Sequence, residues 1–119
     1  MTARSLVVVA VVLAPIIASA DPAASLFDEG RALLQQGKAP EACAKFEASL
    51  ELDPGAAGVL LNLGLCNVQQ HKVATALRWF RKAQTAGAAA GIAEVENAAR
   101  QQVLTLSLTQ PEIAALAGM

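Results

Sequence analysis

From Pro22 to Leu106 the apolar residues recur at helical spacing, in five stretches separated by short breaks. The first predicted helix runs from about Pro22 to Gln36. Asp21 is placed to cap it and Pro22 suits its first turn. Leu26, Gly30, Leu33 and Leu34 share one side, and Gly37 ends it. The second runs from about Pro40 to Leu52. Its inner stripe is Ala42, Phe46, Ser49 and Leu50, with Glu41, Lys45, Glu47 and Glu51 outside. Asp53-Pro54 repeats the cap-plus-proline start of the first helix, so a third is expected over Gly55–Gln70, carrying Leu60, Leu63, Gly64 and Asn67. The fourth spans Val73–Ala86 with Ala76, Leu77, Phe80 and Ala83, and ends at Gly87. The breaks are a few residues long, so consecutive helices must run antiparallel as hairpins. The expected class is all-α.

Shifted forward by 34 residues, the stretch 26–46 falls on itself: Leu26 on Leu60, Gly30 on Gly64, Ala42 on Ala76, Phe46 on Phe80. A fixed period of this length marks a repeated helix–turn–helix unit. A glycine inside a helix costs roughly 1 kcal/mol relative to alanine, so two of them one period apart need a packing reason. The expected reason is that each glycine faces an alanine, Ala42 or Ala76, letting two backbones close, while Phe46 and Phe80 fill the wedge where the helices diverge.

With Pro54 closing the first unit and Leu60-Leu61-Asn62-Leu63-Gly64 opening the second, these residues resemble the tetratricopeptide repeat over about Ala23–Gly87. Leu26 and Leu60 depart from the aromatic common there, and Leu33 and Asn67 from a tyrosine. No proline closes the second unit, where Thr85-Ala86-Gly87 stands instead. The resemblance implies two stacked antiparallel hairpins, about 23–54 and 57–87, in a domain spanning 21–106. The fifth helix, about 88–106, carries Ile92, Val95, Ala99, Val103 and Leu106 on one side and would cap the stack with a polar outer face.

The N-terminus changes the compartment. Met1–Arg4 is short and positive, Leu6–Ile17 is almost wholly apolar, and Ala18-Ser19-Ala20 suits a signal peptidase. Residues 1–20 thus read as a cleaved signal peptide, the alternative being an uncleaved anchor. No cysteine follows the cut to take a lipid. Without Arg4 the 9 basic residues become 8, against 10 acidic ones. That balance argues against nucleic acid and anionic membranes. Phe27, Phe46, Trp79 and Phe80 are the only aromatics, so the core is thin and a covalent staple would help it. The resemblance, a leader and two cysteines together look like a short exported bacterial repeat protein, periplasmic or secreted.

Cys43 and Cys66 fall on helices that a stacked repeat makes neighbours. In an exported chain an even pair reads as a disulfide; the alternative is two buried thiols. No Cys-x-x-Cys turn supports redox chemistry, and His71, the only histidine, lacks companions for a metal. His71 sits in the turn between helices three and four. Gly87-Ala88-Ala89-Ala90-Gly91 lacks the lysine and preceding strand of a phosphate loop. Asp28 and Glu29 are adjacent and point to different sides of a helix. No catalytic constellation and no cofactor are expected.

Surface remains. The first helix of each hairpin in such repeats lines a concave groove, and the resemblance places Phe27, Arg31 and Leu34, then Leu61, Asn62, Leu65, Val68 and Gln69, along it. It implies a non-enzymatic scaffold that binds a segment of an envelope protein there. The chain's own tail or a second copy is the other candidate to cover the groove. The competing class is therefore a structural subunit whose apolar face is buried in a homo-oligomer or longer solenoid. Of the lysines and asparagines that grip a peptide's terminal carboxylate in some relatives, only Asn62 has a counterpart here. Lys72, Arg78, Arg81 and Lys82 are either a solvated outer face or a patch for an acidic partner. The tail 107–119 could cap at Thr109 and form two helical turns. It is similar to the first helix of a DNA-binding helix–turn–helix, but no recognition helix follows. It reads as a frayed terminus or a docking segment.

Overall fold

The computed structural model describes residues 21–118; the leader expected over 1–20 lies outside them. The described chain is all-α. Its helices are α1 (Pro22–Gln35), α2 (Ala39–Leu52), α3 (Ala57–Gln69), α4 (Val73–Ala90), α5 (Ala93–Thr109) and α6 (Pro111–Ala117). α1 packs on α2, α3 on α4 and α4 on α5, while α2 against α3 joins the two hairpins.

Three turns share one geometry. After α1, Lys38 N–H reaches Leu33 C=O at 2.9 Å and Gly37 N–H reaches Leu34 C=O at 3.1 Å. After α3, Lys72 N–H donates to Asn67 C=O and His71 N–H to Val68 C=O, both at 2.9 Å. After α4, Ile92 N–H donates to Gly87 C=O at 2.8 Å and Gly91 N–H to Ala88 C=O at 3.2 Å. Each is a Schellman closure, which needs a left-handed residue after the helix. Gly37 (φ 74°), His71 (φ 59°) and Gly91 (φ 70°) supply it.

Four sequence expectations are corrected. Asp21 does cap α1, accepting from Ala23 N–H at 3.1 Å, with Pro22 in the first turn. Asp53 instead ends α2, and its carbonyl accepts from Ala56 N–H at 3.2 Å. The Pro54-Gly55 turn this closes delays α3 to Ala57. α4 runs past Gly87 to Ala90, because Gly87 is a packing position: a Cβ there would stand 2.8 Å from the backbone N of Glu96 on α5. Gly30 and Gly64 do not face alanines. A Cβ on Gly30 would meet Phe46 Cε1 at 2.6 Å, and one on Gly64 would meet Phe80 Cζ at 2.7 Å. The missing methyl is the seat of a ring in both hairpins. Finally, Thr109 does not cap the tail. Its Oγ1 donates to Thr105 C=O at 2.9 Å within α5, and α6 starts after Gln110.

One core cluster joins Ala42, Cys43, Phe46, Val59, Leu63 and Cys66 across α2 and α3. A second joins Ala76, Leu77 and Phe80 of α4 to Leu106 and Ala114, so α6 docks on the stack. A third joins Leu60, Ala83 and Ala99. The outer side of α5 is not uniformly polar as a cap would be. Leu104 is 51% and Leu108 82% exposed, and Leu116 of α6 is 61% exposed.

Candidate functional site

α1 and α3 lie side by side at the start of the stack because α2, packed on both, holds them there. A Cβ on Gly58 would stand 3.9 Å from Phe27 Cζ, an ordinary contact, so the start of α3 lies beside that ring. Phe27 tilts against Phe46 with ring centroids 5.9 Å apart, and the Arg31 guanidinium lies 5.8 Å from the Phe27 centroid. Such a cation over an aromatic face is worth about 0.5–1 kcal/mol where exposed. Leu34 packs on the first cluster with Phe27.

On α3, Leu61, Leu65 and Val68 are half-buried and pack on the second cluster, the one holding Leu106 and Ala114. Asn62 is 9% exposed, and its Nδ2 donates to Gly58 C=O at 2.8 Å within the same helix. Its amide group is turned to its own backbone. Gln69 is exposed. Phe27, Arg31 and Leu34 thus form one group, and Leu61, Leu65 and Val68 another.

Cys43 and Cys66 are joined, with Sγ atoms 2.00 Å apart and Cα atoms 5.7 Å apart. The bond ties the second helix of one hairpin to the first helix of the next. Gln70 Nε2 donates to Cys43 Sγ at 3.1 Å and to Cys66 C=O at 3.4 Å, covering the bond from one side. Nearby, Ser49 is 1% exposed and its Oγ donates to Ala23 C=O of α1 at 2.8 Å. This is a polar clasp between the hairpin's two ends, beside a cavity of about 240 Å³ lined by Phe27, Ser49 and Val59.

His71 is exposed in the α3–α4 turn. Among the described residues no group of three His, Cys, Asp or Glu is placed to hold a metal ion. No helix among them is long and apolar enough to cross a membrane.

A second concave feature lies outside the residues that the sequence pattern singles out. The backbones of α2 and α4 stay more than 8 Å apart, Cα to Cα, and between them lie two cavities of about 530 and 460 Å³ that share Leu50, Pro54 and Trp79. The signal for it is faint: Trp79 comes one position before buried Phe80 of the inner stripe of α4 and is only half-buried.

No curated protein and no solved structure matches the chain significantly. The family model described as tetratricopeptide repeat matches residues 27–91, from the groove side of α1 to the glycine closing α4. Repeats of this kind generally mediate protein–protein interaction. With two ring-on-glycine hairpins one period apart and that match over more than half its length, the chain belongs to the tetratricopeptide repeat family.

Proposed function

We propose that the chain is a non-enzymatic scaffold of the bacterial cell envelope, periplasmic or secreted, that grips a segment of another envelope protein along α1 and α3. One observation carries this reading. Phe27 and Leu34 on α1, and Leu61, Leu65 and Val68 on α3, stay partly open although each already packs on a core cluster. Two patches of anchored but open apolar side chains, with Arg31 beside the first, suit an apolar segment carrying an acidic residue. The Cys43–Cys66 bond supports the oxidising compartment, since such bonds persist where thiols are not kept reduced. The leader-like pattern of residues 1–20 points the same way. The test places a photo-reactive residue at Leu65 and, as a control, at exposed Glu41 on α2. Crosslinking in the envelope to one protein from position 65 and not from 41 supports the reading. Equal labelling from both positions, or none from 65, overturns it.

A second reading, a structural subunit buried in a homo-oligomer, is favoured by Leu104, Leu108 and Leu116. They leave the far end of the stack apolar where a terminal unit is ordinarily polar. Size exclusion with light scattering on residues 21–119 separates the two. A dimer stable to dilution favours the second reading, and a monomer the first.

A further inference from the structure

The channel between α2 and α4 has an apolar floor and two charged walls of opposite sign. Leu50, Pro54 and Trp79 run along it, with buried Leu60 of α3 beneath. Glu47 and Glu51, one turn apart on α2, line one part; Lys82 of α4 lines the other, beside Arg81, whose guanidinium reaches to the end of α6, its Nη1 3.5 Å from where a Cβ on Gly118 would stand. Among the described residues the ion pairs are Lys45–Glu29 and Arg100–Glu96, and neither crosses the channel. Lys82 Nζ instead lies over the Trp79 ring, 5.0 Å from its centroid. No ion pair among the described residues therefore joins Glu47 or Glu51 to Lys82 across the apolar strip, which includes the chain's single tryptophan.

We propose that this channel is a second docking surface, for an amphipathic helix of a partner protein with an apolar ridge, a basic edge and an acidic edge. The ridge would seat on Leu50, Pro54 and Trp79, the basic edge on Glu47 and Glu51, and the acidic edge on Lys82. A helix fits better than an extended strand, because the walls are helices whose backbone groups are already bonded, leaving side chains alone to recognise the guest. The wall charges select the partner and its orientation more than they add affinity. Neither occupancy of the groove along α1 and α3 nor self-association is required.

The probe is a synthetic helical peptide with a leucine ridge, arginines along one edge and glutamates along the other. Two controls keep the ridge and carry only glutamates or only arginines. Each is titrated into the oxidised chain and read by Trp79 emission and by amide chemical shifts. The mixed-edge peptide is expected to bind about tenfold more tightly than either control, with shifts confined to α2 and α4. The E47Q/E51Q double variant, which alters exposed side chains alone, should lose that preference over the arginine-free control while its far-ultraviolet dichroism is unchanged. Absence of binding by the mixed-edge peptide, equal binding of all three, or shifts centred on Leu65 would each overturn the proposal. So would a peptide-independent change in Trp79 emission with protein concentration, which would assign the channel to a second copy.

Discussion

Gly37 and His71 hold the same place in successive hairpins, both with positive φ, 74° and 59°, and both followed by a lysine that donates back into the helix just ended. One period separates them, yet only one is glycine. A left-handed conformation costs a residue with a Cβ about 1–2 kcal/mol, whereas glycine adopts it freely.

His71→Gly should therefore raise stability, by about 1 kcal/mol or less, since glycine also loosens the unfolded chain. Gly37→Ala should lower it by about 1 kcal/mol, although nothing lies within 4 Å of the added Cβ. Urea denaturation of the two variants checks both signs. If His71→Gly destabilises, the imidazole contributes something beyond the turn.

The rings on Gly30 and Gly64 give a sharper prediction. Gly30→Ala puts a methyl 2.6 Å from Phe46 Cε1, and Phe46 is fully buried. Overpacking of this kind costs about 1–3 kcal/mol, partly offset by alanine's better helix propensity. Combining Gly30→Ala with Phe46→Leu should cost less than the two changes summed, because the smaller side chain vacates the methyl's space. Additive free energies in the denaturation cycle would show that ring and methyl do not compete.

Much of the fold was legible for a local reason. The Gly30 and Phe46 pair recurs one period later as Gly64 and Phe80, and every element of that unit lies close in sequence; that each ring sits on its glycine, where an alanine is expected, shows only in the packing. What was not legible depends on packing between elements distant in the chain. Gly87 and Gly91 are both plausible helix stops; only the approach of Glu96 on α5 makes the first a contact and the second the turn. Asn62, Leu61, Leu65 and Val68 could be assigned to α3 from the pattern alone. That Asn62 bonds Gly58, and that the three apolar residues share a cluster with Leu106 and Ala114, follows from where α5 and α6 return. The Trp79 channel is harder still, since a gap between α2 and α4 leaves no period in either helix.

Reduction should weaken the fold more than any single surface change. The Cys43–Cys66 bond closes a loop with a sequence separation of 23, which the chain-entropy estimate values at roughly 3 kcal/mol. For a chain whose largest fully buried side chains are two phenylalanines and two leucines, that is a large share. Ellman titration of the denatured chain should find no thiol before reduction. Thermal melts with and without reductant should then differ by well over 5 °C for a domain of this size. Coincident melts would mean that the bond adds nothing to the folded state.

Gly87→Ala tests whether α5 is held by the close approach at the end of α4. The added Cβ would stand 2.8 Å from Glu96 N and 3.2 Å from Glu96 Cα, both backbone atoms that no rotamer change can move. α5 must shift as a body, loosening Ala99 and Leu106, which are buried between it and the rest of the stack. The expected cost is about 1–3 kcal/mol. The loss should also be uneven. Amide hydrogen exchange should quicken in α5 and α6 while α2 and α3, tied by the disulfide, keep their protection. If α1 to α3 lose protection to the same degree, the two ends of the stack unfold as one cooperative unit, and the Gly87 contact stabilises the whole domain rather than its last hairpin.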